Sequence, residues 1–144
     1  MTIIERIAKR IAEIFPDAII YSEKQKSGFK VPSFYISKIM TVTKNRLFDI
    51  QDRRISYSIT YFADPDCPNA DMEEVEQKLL NKFTRLDDYA TVRNREITVN
   101  QEDETLVMSF DLRLEMYPVE DGGKLERIEV NGGLQEDGNR DSDE

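Results

Sequence analysis

The residues best spaced for catalysis are Pro65, Asp66, Glu76, Gln77 and Lys78. They imitate a Pro-Asp … Glu-x-Lys pattern, in which two carboxylates hold magnesium and a lysine orients the attacking water. That chemistry needs the three side chains to converge, usually with Glu-x-Lys on a strand. Here Val75, Leu79 and Phe83 impose a helical period on the same segment. Successive helical positions lie about 100° apart, so Glu76 and Lys78 diverge by about 200°. Without its context the motif is weak, and a metal-dependent nuclease is a minor alternative. Asp64, Asp66 and Asp71 suggest a calcium loop. Counted from Asp64, however, the sixth and twelfth positions hold Asn69 and Val75, where an EF-hand needs Gly and Glu. The single cysteine, Cys67, has no histidine to activate it, because the chain has none. The expectation is no enzyme, no metal and no cofactor.

Charge offers a different chemistry. The chain carries a net charge of −9, yet residues 24–54 hold eight basic side chains against Asp49 and Asp52. The eight are Lys24, Lys26, Lys30, Lys38, Lys44, Arg46, Arg53 and Arg54. Phosphate contact needs only such charge within reach. Base readout needs a recognition helix or stacking aromatics, and neither is evident. The stretch Lys24–Pro32 is polar, basic and punctuated by Gly28 and Pro32, and it feeds the strand-like run Ser33–Met40. It reads as a surface that binds, not a pocket that reacts. One basic region in an acidic chain suits head-to-tail pairing between copies.

The elements that must position these residues follow from periodicity. Thr2 and Glu5 form a capping box for a helix whose apolar stripe is Ile3, Ile4, Ile7, Ile11, Ile14 and Phe15, ended by Pro16. Residues 18–21 read as a short strand, and 33–43 and 53–62 as longer ones. In the last, Ile55, Tyr57, Ile59 and Tyr61 share a face. A loop over 63–70 leads to a second helix capped by Asp71 with Glu74, burying Met72, Val75, Leu79, Phe83 and Leu86. Strands over 92–99 and 105–116 follow, joined by a hairpin. The expected order is α-β-β-β-α-β-β. The fold class is α+β, a two-layer sandwich with both amphipathic helices on one face of a mainly antiparallel sheet.

Length fits a single domain, expected over 1–116. Residues 117–144 are acidic and poor in apolar residues, and read as a flexible tail. Within it, 125–130 is a short strand candidate with Leu125, Ile128 and Val130. The charged N-terminus is not that of a signal peptide, and no apolar run approaches membrane-spanning length. The expectation is a cytoplasmic protein without membrane contact.

The arrangement Gly28-Phe29-Lys30-x-Pro32-x-Phe34-Tyr35-Ile36, then Arg53-Arg54-x-x-x-Tyr57-x-Ile59-x-Tyr61-Phe62, then a Glu-rich second helix and a final alternating strand, resembles the tail terminator (tail completion) proteins of long-tailed phages and prophages, especially of Gram-positive hosts. The likeness covers roughly 1–130, including the Lys-Leu-Glu-x-Ile-Glu-Val-Asn-Gly-Gly segment. The resemblance implies a structural subunit that closes into a ring, typically of six copies. The ring stops growth of the tail tube and offers the surface that the head joins. Implied partners are further copies, the tail tube protein and the head-tail connector protein, with non-specific DNA contact in the lumen. The implied location is the host cytoplasm during assembly and then the virion tail. Lys24, Lys26, Gly28, Phe29, Lys30, Arg53 and Arg54 become candidates for the ring interface or lumen. Leu125, Ile128 and Val130 become a partner-docking strand. Another head-tail joining (neck) protein, and a stand-alone binding module, are the remaining alternatives.

Overall fold

The first helix, α1 (Ile3–Ile14), forms where its cap requires. Thr2 Oγ1 accepts from the Glu5 amide at 3.1 Å, and the Thr2 amide donates to Glu5 Oε1 at 2.6 Å. The backbone and hydroxyl of Thr2 hold the Glu5 carboxyl below its ordinary pKa. Ile7, Ile11 and Ile14 are buried along one side. The structure is a computed structural model that describes residues 1–118 and the backbone of 125–129. None of its described helices is long and apolar enough to cross a membrane.

Two long strands with period-2 burial form the middle of the sheet. After β1 (Ile19–Tyr21) come β2 (Ser33–Asn45) and β3 (Gln51–Phe62), joined by one 3₁₀ turn at Leu47–Asp49. The second helix, α2, spans Pro68–Lys82. A small hairpin, β4 (Arg85–Leu86) and β5 (Ala90–Thr91), precedes β6 (Arg93–Asn100), β7 (Thr105–Pro118) and β8 (Leu125–Glu129). The sheet order is β1-β2-β3-β7-β6. Among the described strands only β1 and β2 pair in parallel. The class is α+β, with two helices and a mostly antiparallel sheet. The expected order omitted the β4–β5 hairpin and carried β8 only as a short strand candidate over 125–130.

One edge of β7 is shared. Strand β6 pairs with Thr105–Asp111, and β8 pairs with Leu114–Pro118. The segment read as a partner-docking strand therefore adds to its own sheet, because β6 ends short and leaves that stretch of β7 open. Of the residues read as tail, 117–118 continue β7 and 125–129 form β8. The others, Val130 among them, lie outside the described residues.

The second helix also corrects an expectation. It starts at Pro68, three residues before the expected cap, because proline at the first helical position presets the backbone angle. Cys67 occupies the cap position without a side-chain bond. Asp71 is free to turn back, and its Oδ2 accepts from Tyr61 Oη at 2.6 Å and from the Asp64 amide at 2.9 Å. The other end of α2 is closed by two arginines. Arg95 donates to the carbonyls of Leu79, Leu80 and Phe83, and Arg10 to that of Lys82. These satisfy carbonyls that a helix end leaves orphaned.

A single core joins the helix stripes to one sheet face. It includes Ile7, Ile11, Leu79, Phe83, Phe34, Ile36, Ile59, Met108 and Phe110. The Phe83 ring meets Phe110 edge-on at 5.1 Å. A bulge at Ile39 shifts the β2–β3 register, and beyond it every β2 residue is exposed.

Candidate functional site

Three surfaces stand out, two of them at the start of β2 and one at its far end. The first is the basic loop between β1 and β2. Lys24, Lys26 and Lys30 are exposed on it. Gly28 adopts φ +89°, where a side chain would be strained, and its amide donates to the Gln25 carbonyl at 3.2 Å. Phe29 pins the loop down. Its ring stacks on Phe62 at 4.7 Å and packs against Tyr21 and Tyr35, each at 5.2 Å. Tyr35 and Phe62 alternate with buried Phe34 and Tyr61, so this cluster covers the sheet face opposite the helices. The three lysines are thus held on an anchored loop, not a floppy one.

Arg53 and Arg54 do not join them. The loop enters β2 at Ser33, opposite Phe62, whereas Arg53 lies opposite Thr43 near the other end of the hairpin. The two arginines also point to opposite faces, as neighbours on a strand must. Arg53 is held by Gln51 Oε1 at 2.9 and 3.1 Å, while Arg54 is exposed across from Arg113.

The second surface is the turn joining β2 to β3. Leu47 is 79% exposed and Phe48 84% exposed. Phe48 and Asp49 have φ of 62° and 61°, a conformation uncommon for any residue but glycine and costly for a bulky one. The turn is braced from behind. Arg46 donates to Asp52 Oδ1 at 3.3 Å and to Glu115, and its amide donates to the Ile50 carbonyl at 2.7 Å. Partial burial opposes the Arg46 charge, but Glu115 and Asp52 outweigh it and raise the pKa. Ile39, Met40 and Val42 on the adjoining strand are exposed as well. No expectation from the sequence attached to this turn. The one available signal was an apolar Leu47-Phe48 pair where a polar turn is expected.

The third is a cleft of about 380 Å³ at the opposite end of β2. Phe15, Pro16, Ala18, Pro32 and Phe34 give it apolar walls, and Asp17, Asp71 and Glu74 give it acid, with Lys78 beside Glu74. Ser33 also lines it, and its buried Oγ has no hydrogen-bond partner.

The catalytic lookalikes gain nothing from the fold. Glu76 and Lys78 sit on α2, where Lys78 pairs with Glu74 at 3.2 Å. Among the described residues no three acidic or cysteine side chains converge as a metal site would require. Cys67 is exposed, but its surroundings and the acids Asp64 and Asp71 push its thiol pKa up, away from a reactive thiolate.

A family model described as phage tail terminator protein matches residues 2–124. The chain belongs to that family. The match spans every element up to β7, including the basic loop, the exposed turn and the cleft. No curated protein matches the chain. The family consists of structural phage tail proteins.

Proposed function

We propose that this protein closes into a ring, with six copies as the expected number, on the end of a phage tail tube. The ring ends tube polymerisation and presents the surface that the head-tail connector joins. The observation that carries this reading is the family match across almost the whole described chain. The surface chemistry supports it. A ring is built from heterologous contacts, in which one face meets a different face of the next copy. The anchored basic loop and the acidic outer side of α2, with Glu73 and Glu76, supply faces of opposite sign. The role is structural, assembled in the host cytoplasm and retained in the virion tail.

Lys24, Lys26 and Lys30 meet either the acidic face of a neighbour or DNA passing through the lumen. Reversing all three to glutamate tests the role. The substituted side chains are exposed, so the fold stands. The expected phenotype is over-long tail tubes without heads in electron micrographs. Tails of normal length joined to heads would remove the loop from the mechanism.

A further inference from the structure

We infer that the turn at Leu47 and Phe48 plugs into the cleft beside Ser33 and Phe34 of a second copy of this chain. This rests on the ring reading above and names the contact that closes it. Three observations carry it. The first is the turn itself. Two large apolar side chains stand almost fully exposed on a conformation that costs energy, held there by Arg46 bonds to Asp52 and Glu115. Strain maintained by a brace is a sign that the presented shape is used.

The second is the receptor. The cleft has apolar walls, a volume fit for large apolar side chains and a buried Ser33 hydroxyl lacking a partner. Its rim carries Asp17, Asp71 and Glu74 against one cation, Lys78, which pairs with Glu74, whereas the strand leading to the turn carries Lys38 and Lys44. The signs are complementary.

The third is placement. The cleft lies at the first residues of β2 and the turn follows its last. Thirteen strand residues at about 3.3 Å each separate them by roughly 40 Å. A chain cannot fill its own cleft with its own turn. Each copy therefore gives a plug at one end and takes one at the other. Such a contact, repeated with a fixed rotation, closes into a ring.

The test is directional cross-linking on assembled tails, in chains whose Cys67 is replaced by serine. One variant carries Phe48→Cys and the other Asp17→Cys. A short bifunctional thiol reagent should yield cross-linked dimer when both variants are incorporated together and none from either alone. A chain carrying both changes should give a ladder of cross-linked species. A Phe48→Cys product formed with itself would mean a turn-to-turn contact and would overturn the inference. So would cross-links that map the turn to residues 130–144, or tails of normal length that show no cross-link. A chain absent from the ends of finished tails would instead sink the ring reading. As a second measurement, Phe48→Asp should abolish incorporation into tails while leaving the thermal midpoint of the free chain within about 2 °C of the parent, because this side chain is 84% exposed in its own copy. Normal incorporation of Phe48→Asp would also overturn the plug.

Discussion

Asp71 shows how one carboxylate can be read correctly as important and wrongly as to role. The Asp-x-x-Glu spacing predicts a helix cap. Pro68 starts the helix a turn sooner, and Asp71 instead receives the hydroxyl of Tyr61, a side chain only 5% exposed. Asp71→Ala leaves that hydroxyl and the Asp64 amide without their acceptor. The expected loss is about 1–3 kcal/mol in denaturant unfolding, the cost of an unsatisfied buried donor. A loss near zero would mean that water replaces the carboxylate. Nothing local in the sequence tells Asp71 to face back toward a strand; that follows only once α2 lies on the sheet. The same environment has a signature in pH. Burial pushes the Tyr57 hydroxyl up to about 12, and Tyr89 adds to it. Burial, then the bond to Asp71, pushes Tyr61 up as well. Unfolded tyrosine ionises near 10, so both rings stay neutral in the fold where the unfolded chain is already charged. Their contribution is complete below pH 10 and is lost as pH rises through 10 to 12 and above. Unfolding midpoints should fall across that window, less steeply in Tyr57→Phe. Equal slopes in the two chains would contradict the assignment.

At the scale of elements, the alternating strand Leu106–Leu114 and the α1 stripe were legible because a buried face imposes its period directly on the sequence. Leu106, Met108, Phe110, Leu112 and Leu114 are all at most 2% exposed. Phe110 sits between Tyr57 and Phe83, so Phe110→Ala should cost roughly 3–5 kcal/mol in equilibrium unfolding. A cost under about 1 kcal/mol would place the strand the other way round. The β4–β5 hairpin was not legible, since two-residue strands carry no period to read. Nor was the pairing of β8. Its sequence shows a short strand candidate, but which edge it joins depends on β6 ending at Asn100 and Arg93, leaving Leu114–Pro118 of β7 open. The candidate contact residues divide similarly. Lys24 to Lys30 form one loop because they are contiguous. Arg53 and Arg54 look close in sequence terms, yet the hairpin carries them to the far end of the sheet.

For the molecule as a whole, the uneven charge was readable, and the family match is to a structural tail protein. What composition alone leaves out is polarity along β2: an acidic, apolar-walled cleft at one end and an exposed apolar turn at the other. Only the folded chain separates them. That polarity gives a head-to-tail assembly its two unlike ends, and a ring is the closed form of such an assembly. The most direct test is the length of tail tubes made by a phage that lacks this protein, measured by electron microscopy, with the intact chain supplied in parallel. If the ring ends polymerisation, tubes made without it should have uncontrolled, excess length and bear no heads, and should return to one length with heads attached when the chain is restored. Tubes of one normal length without the protein would contradict it.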